Sequence, residues 1–487
     1  MRQNKHLCRI LNKGGVLSPA HLSLILNIAE DAGNKHVYLG SRQDILFNLP
    51  EGTLQNKPAG PELSIHKRNS GVQNIVSSYV CVDILSSTDW VHAGTYLHVL
   101  DRFTTNHRLR VNIVDPQQNL VPLFYGHLNF IASEMPNYWH LFLNLEQDKD
   151  PCAWPGMIFT DDIADFAREM EEHITGSGIT DYRTLVEVMK TSLLQQHTLE
   201  SSSGIKLPSG FFPDYEGLNK MEGKDQYWAG FYWRNNCYPV QFLKEVCQLC
   251  LNTNIGKISF TPWKTFLIKD IGIKDKVYWD ELIGRHGINM RHSSFELNWH
   301  LPLLDRQALE LKRYLVSEFD KVDIRVSGLS FAIQLNGNER FTTIVIRPEG
   351  RLPVLGKFDF TRTYSIGHAY NFNPNANHFI EYATGLGKGE LPKAISELTK
   401  RYYSLLSLQS KTVQIRGKAK AERNYRQVHL CPVCLTVYDV RYGDMLAGIP
   451  AGVLFDQLPD SYCCQVCETP RSAFCETEIL EPAFANP

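Results

Sequence analysis

Between residues 251 and 430 the chain contains no cysteine at all, although twelve occur in its 487 residues. That stretch can supply no thiolate ligand to an iron–sulfur cluster. Long apolar runs are also missing. The best of them, such as LSLILNIA, fall far short of the ~20 residues a membrane span needs. Neither sign of charge dominates, with 50 Lys and Arg against 52 Asp and Glu, so the whole chain has no general attraction for nucleic acid or a membrane surface. The basic start, MRQNKHLCRILNKGG, is not followed by an uninterrupted apolar region and a small-residue cleavage site. No signal peptide is therefore expected, and a cytoplasmic location is. The phosphate-cradling Walker A loop, the dinucleotide-binding glycine fingerprint and the G-x-S-x-G elbow are absent. The 17 histidines form no HxxxH-type pair with a carboxylate. What remains is an ordinary globular composition, long enough for about three domains at roughly 100–200 residues each.

The cysteines that are present are unevenly placed. Cys8, Cys81, Cys152, Cys237, Cys247 and Cys250 are scattered, and the last six crowd between 431 and 475. In a large chain without a secretion signal, such crowding points to metal rather than to a disulfide framework. Cys431 and Cys434 form one CxxC and Cys464 and Cys467 another, with 29 residues between the pairs. Four thiolates in two knuckles make a tetrahedral site that suits zinc or iron, and spacing alone does not choose between them. Cys247 and Cys250 are a third CxxC, but the spacing places them on the apolar stripe of a helix over 240–251, where packing is the expected role.

The residues between the knuckles carry more. CPVC is followed by Tyr438-Asp439, Gly443-Asp444, GIPAG at 448–452, FDQLPD at 455–460, CQVC, and SAF at 472–474. Over about residues 429–476 this module resembles rubredoxin. The resemblance implies one iron, ferric or ferrous, held by Cys431, Cys434, Cys464 and Cys467, above an aromatic core of Tyr438, Phe455, Tyr462 and Phe474. It implies one-electron transfer, at a potential set by burial and N–H···S bonds. Rubredoxins usually have glycine after each CxxC, in backbone tending to positive φ. Here Leu435 and Glu468 stand instead, at a cost of order 1 kcal/mol each. Cys463 and Cys475 fall outside the ligand pattern. From 431 to 480 the module has seven acidic residues against Arg441 and Arg471, a charge that would steer it weakly onto basic surfaces.

Before the module, a repeat is legible. SPAHLSLILNIAEDAGNKHVYLGSRQDILFNL (18–49) and YPVQFLKEVCQLCLNTNIGKISFTPWKTFLIKD (238–270) both change from helical to strand periodicity. Pro19 matches Pro239, and VYLGSRQDILF matches ISFTPWKTFLI. Each unit is followed by further strands and by helices such as 161–174 and 306–320. The expected fold is α+β, with two halves related by a pseudo-two-fold axis over 1–200 and 201–407. A basic linker, 408–428, and the module, 429–480, follow. Between 416 and 426 the linker carries Arg416, Lys418, Lys420, Arg423 and Arg426 against Glu422.

The two halves look like the ferredoxin-like half domains of sulfite and nitrite reductases. SRQDILF (41–47) resembles that family's T-R-Q-N-I-Q segment, which places Arg42 where an arginine reaches siroheme carboxylates. QNIVSSYVCVDI (73–84) resembles the next segment, with Gln73 in place of its arginine. FTPWKTFLI puts Lys264 at the basic position of the second half. RLRVNIV offers Arg108 and Arg110 roughly where the family has a lysine pair, in an ambiguous register. With Arg68, these are the candidates for an anionic cofactor, since guanidinium and ammonium groups pair well with carboxylates. The family's [4Fe–4S] cluster needs four cysteines after the second half. HSSFELNWHLPLLD and VSGLSFAIQL (292–335) supply none, and Leu329 stands where a ligand cysteine is expected. No such cluster is expected, and siroheme lacks its usual support.

The sequence therefore suggests an electron-transfer component more than a complete catalyst. In that reading a cluster-less reductase-like scaffold docks the rubredoxin onto a partner oxidoreductase, in nitrate or nitrite assimilation. Two alternatives stand beside it: a siroheme-type reductase fed by its own rubredoxin, and a non-redox assembly protein with structural zinc.

Overall fold

Helix α1 (Pro19–Asp31) shows how the local sequence builds the larger body. Ser18 ends an extended segment and its hydroxyl accepts from the His21 N–H at 3.1 Å, while Pro19 occupies the first turn. Both are favoured at a helix start. Leu22, Ile25, Leu26 and Ala29 then fall on one buried face. The structure is a computed structural model. It describes all residues other than 1–4, 52–63, 149, 191–197, 201–204, 209, 214, 289–297, 323–325, 335–340, 350–361, 377, 421–424, 435 and 481–487. At 5, 200, 408–420, 425–426 and 478–480 it describes backbone only. Two compact units result, Met1–Thr399 and Lys400–Pro487.

In the larger unit the first half runs β1 (Lys5–Ile10), β2 (Val16–Leu17), α1, β3 (His36–Leu39), β4 (Ile45–Pro50), β5 (Ile65–Lys67) and β6 (Val76–Ser77). It continues with α2 (Ala93–Arg102), β7 (Val111–Val114), β8 (Leu128–Ala132), β9 (Tyr138–Leu143), β10 (Cys152–Ala153), β11 (Gly156–Phe159), α3 (Ile163–Glu171), α4 (Tyr182–Met189) and β12 (Leu199–Glu200). The second half repeats much of this order, with the counterpart of β5 moved to its start. It has β13 (Gly217–Lys220), β14 (Gln226–Phe231), β15 (Tyr238–Pro239), α5 (Val240–Asn252), β16 (Ile258–Phe260), β17 (Phe266–Gly272) and α6 (Lys276–Arg285). Then come β18 (Trp299–His300), α7 (Arg306–Lys321), β19 (Phe331–Ile333), β20 (Ile344–Glu349), β21 (Thr363–Ala369), β22 (Phe379–Leu386) and α8 (Leu391–Lys420).

The sheets confirm the repeat and add a feature to it. One sheet is ordered β15-β3-β4-β1-β5 and its counterpart β13-β14-β17-β16-β2. Each half thus lends a two-residue strand just ahead of its helix to the edge of the other half's sheet. Val16 and Leu17 pair with Ser259 and Ile258, and Tyr238 and Pro239 with Val37 and His36. Helices α1 and α5 lie in one hydrophobic core with Phe47, Phe231, Phe266 and Trp279. The remaining two sheets, β12-β11-β9-β8-β7-β6 and β18-β19-β20-β21-β22, both join three parallel strands to antiparallel ones. The match differs by one residue at the helices. Pro19 is the first helical residue, whereas Pro239 still belongs to β15 and occupies the place of Ser18.

The turn between β3 and β4 repeats between β16 and β17. Gly40 N–H donates to Asp44 O at 2.8 Å, and Thr261 N–H to Thr265 O at 2.9 Å. Gln43 (φ 60°) and Lys264 (φ 61°) hold the same left-handed position in each. Cys247 and Cys250 pack on the buried face of α5 as the spacing predicts, and burial pushes the Cys247 thiol up to about 11. Helix α8 continues to Lys420, through the stretch expected as a linker. No proline follows Pro392 until Pro432, so no ring breaks the helix, and Gly417 within it costs only about 1 kcal/mol. The basic side chains expected in that linker, from Arg416 to Arg426, lie outside the described residues. In the smaller unit β23 (Tyr425–Leu430) pairs with β24 (Val437–Tyr438) and β25 (Cys475–Leu480).

Candidate metal centre and a cationic cavity

The smaller unit has little apolar material to fold around. Tyr438, Phe455, Leu458 and Tyr462 are buried together, with Phe474 packed against them. The His429 ring stacks on Phe455 at 3.8 Å and nearly parallel, Tyr438 donates to Val453 O at 2.8 Å, and Tyr462 to Asp444 at 2.8 Å. This aromatic floor matches the four positions read from the sequence. A core this small needs a further constraint to fold, and a metal supplies one.

The ligand atoms for it are in place. The sulfurs of Cys431, Cys434, Cys464 and Cys467 lie within 4.8 Å of one another. Cys431 and Cys467, and Cys434 and Cys464, approach to 3.4 Å. A tetrahedral ion with bonds of about 2.3 Å to sulfur has edges of roughly 3.8 Å, so the four fit one ion of zinc or iron size. Each knuckle is a tight loop: Cys431 N–H donates to Thr436 O and Cys464 N–H to Thr469 O, both at 2.8 Å. Burial opposes ionisation of Cys431, but the N–H groups of Cys434 and Val433, together with the Thr469 hydroxyl and Cys467, outweigh it and bring its pKa to about 6. Cys464 is lowered in the same way, against burial, by the N–H groups of Val466 and Cys467. Amides turned towards sulfur favour thiolate, which is the ligating form. Glu468 takes φ 57°, the left-handed backbone that the missing glycine would have adopted, while Leu435 lies outside the described residues. Cys463 and Cys475 are not among the four clustered sulfurs.

The larger unit holds a cavity of about 510 Å³. Arg9, Arg42, Arg68, Arg110, Lys264, His127 and His300 line it, and Asp44 is the one carboxylate among the described lining residues. The sequence candidates thus converge from three separate segments: Arg42 from the β3–β4 turn, Arg110 from the start of β7, and Lys264 from the repeated turn. Arg108 is exposed and does not line the cavity. Arg42, Lys264 and Arg9 are each engaged by protein oxygens. Arg42 donates to Asn112 Oδ1 at 2.6 Å, Asn74 O at 2.7 Å and Val111 O at 2.9 Å. Lys264 donates to Leu301 O. Arg9 makes a buried ion pair with Asp44 at 2.5 Å. Arg42 and Arg110 both sit over the ring of Tyr125, at 5.5 and 5.8 Å. Gln73, neutral where the reductases have arginine, also lines the cavity.

Crowded positive charge shows in the electrostatics. Burial lowers the Arg42 pKa to about 9; Tyr125 and Asp44 oppose the shift, and Arg110 and Arg9 add to it. Burial, then Arg110 and Arg42, drive His127 down to about 3, so its ring is neutral at pH 7 and its Nδ1 accepts from the Arg110 N–H at 3.1 Å. His127, His300 and Arg9 were not legible as site residues, because they come from unconnected segments with no motif; Asp44 lies within SRQDILF, but its pairing with Arg9 is visible only in the fold. Leu329 is fully buried and is not among the cavity's lining residues.

Comparison with known proteins agrees with both units. The rubredoxin family profile matches residues 428–474. Rubredoxin-2 of Chlorobaculum tepidum is 41% identical over 44 residues, covering 85% of that protein and 9% of this chain. The probable rubredoxin HupI of Bradyrhizobium diazoefficiens is 42% identical over 48 residues, covering 70% of it and 10% of this chain. Among solved structures, the NirA protein of Mycobacterium tuberculosis matches 81% of this chain and 80% of its own, with a TM-score of 0.58 and 14% identity. At that identity the match shows the fold, which is the sulfite/nitrite reductase-like architecture of two α+β halves.

Proposed function

The chain belongs to the rubredoxin family through residues 428–474, and from that premise we propose that it is an electron-transfer protein. It carries one electron at a time on an iron held by Cys431, Cys434, Cys464 and Cys467. The observation that carries this reading is the convergence of four sulfurs within 4.8 Å, above an aromatic floor and in loops whose amides favour thiolate. In the same reading the reductase-like body is a scaffold that docks a partner oxidoreductase, with nitrate or nitrite assimilation as the metabolic setting. The module's acidic residues suit a basic docking face on that partner. Metal analysis, an absorption spectrum and electron delivery to a candidate acceptor test this. A red protein that bleaches with dithionite and loses electron delivery in Cys464→Ser supports it. A colourless zinc protein refutes it and favours the structural-zinc reading.

A second reading has its own observation, the cationic cavity. Arg42, Arg68, Arg110 and Lys264 offer the charge an anionic cofactor needs, and siroheme is the cofactor the fold suggests. The fit is partial. Arg42 and Lys264 already donate to protein oxygens, Gln73 is neutral, and no cysteine between 251 and 430 can ligate the cluster that accompanies siroheme in the reductases. When bound, siroheme would supply multi-electron reduction of a small oxyanion. The protein would contribute positive charge from the cavity's arginines and lysine, and His127, neutral with Nδ1 accepting from the Arg110 N–H, would offer its Nε2–H as an uncharged donor. An intense Soret-type band in the purified protein, with turnover of nitrite or sulfite, would favour this reading over the first.

A further inference from the structure

The two cysteine loops are near copies, and both close on a threonine. In each, the N–H of the first cysteine donates to the threonine carbonyl, Cys431 to Thr436 and Cys464 to Thr469. In each, the hydroxyl of that threonine lies 3.0 Å from the sulfur of the second cysteine, Thr436 from Cys434 and Thr469 from Cys467. The sulfurs reached in this way are those of the two half-buried cysteines, while Cys431 and Cys464 are buried. A metal-bound sulfur is a thiolate with no proton to give, so in the loaded site the hydroxyl is the donor. Both loops therefore supply a side-chain donor beyond their backbone amides.

We propose that Thr436 and Thr469 are positioning residues that tune the redox centre, each donating an O–H···S hydrogen bond to an outer thiolate and favouring the reduced state. The inference rests on the one-iron reading above. One electron enters the site and no proton moves, because each hydroxyl keeps its hydrogen. The net charge of iron and four thiolates changes from −1 to −2. Hydrogen bonds to an ionised acceptor strengthen as its charge grows, so the donors stabilise the reduced state more than the oxidised one. They oppose the nearby carboxylate of Glu468, which favours the less negative state.

The test uses the full chain with Thr436→Val, Thr469→Val and the double substitution, which replace a hydroxyl by a methyl of similar size. Midpoint potentials are read by spectroelectrochemistry. Each single substitution is expected to shift the reduced-to-oxidised ratio about tenfold towards oxidised, a fall of ~59 mV for a one-electron couple, with the double near the sum. The sulfur-to-iron charge-transfer bands should move to lower energy as the lone pairs lose their donor. Should valine prevent iron loading, the Ser and Ala variants at each position differ by the hydroxyl alone, and the serine form should keep the higher potential. Iron-loaded variants whose potentials coincide with the parent, or Ser and Ala variants that do not differ, overturn the proposal while leaving the one-iron reading intact. A protein that loads only zinc overturns both.

Discussion

Acidification should unload stability from the larger unit through one histidine. His127 lines the cationic cavity, and burial together with Arg110 and Arg42 takes its pKa from 6.5 to about 3. Glu171, which acts in the opposite direction, is the one acid that opposes the shift. A histidine depressed in the folded state is protonated first in the unfolded chain. Its share of stability is therefore complete above the unfolded value of 6.5 and is lost as pH falls towards 3. At 1.36 kcal/mol per pKa unit the full loss is about 5 kcal/mol, and at pH 4 about 3 kcal/mol. The assay can isolate this unit. All eight tryptophans lie between Trp90 and Trp299 and none lies in the rubredoxin module, so tryptophan fluorescence in urea reads the larger unit alone. His127→Gln keeps an acceptor for the Arg110 N–H and removes the titration. Between pH 7.5 and 4 the parent should lose about 3 kcal/mol more than this variant. Parallel curves would show that the cavity does not hold His127 neutral, and the argument for crowded positive charge would fall with it.

Other substitutions probe the remaining parts. Asp44→Asn leaves Arg9 buried without its counter-charge and should cost the larger unit about 3–5 kcal/mol in urea unfolding; a loss below 1 kcal/mol would mean the pair is not buried as described. Tyr462→Phe removes a hydrogen bond to the Asp444 carboxylate and should cost the module about 1.5–3 kcal/mol, read as a lower temperature for loss of visible absorbance. Cys464→Ser should abolish stoichiometric iron by metal analysis, and full occupancy in that variant would contradict the four-thiolate site.

The metal centre was legible because its information is local: two CxxC pairs, a family-like filling between them, and aromatic residues at fixed offsets. The paired halves were legible because helix and strand periods recur about 220 residues apart. The exchanged edge strands were not, since Val16–Leu17 and Tyr238–Pro239 are two residues each and carry no period of their own. The one-residue offset at Pro239 escaped for a related reason, because a proline serves equally before a helix or within its first turn. Arg42, Arg110 and Lys264 could be named from the reductase-like segments, and all three line the cavity. Arg108 lay equally close by sequence but sits exposed in the bend before β7, where no strand period fixes which way a side chain faces. The cavity's histidines and its Arg9–Asp44 pair arise only when β1, the β3–β4 turn, β8 and β18 are folded together.

The electron-transfer role stands or falls with a one-iron redox site at the four cysteines. Metal analysis of the purified full chain, combined with its absorption spectrum before and after dithionite, decides it. One iron per chain, thiolate-to-iron absorption in the visible and bleaching on reduction are expected. Stoichiometric zinc with a featureless visible spectrum would contradict it.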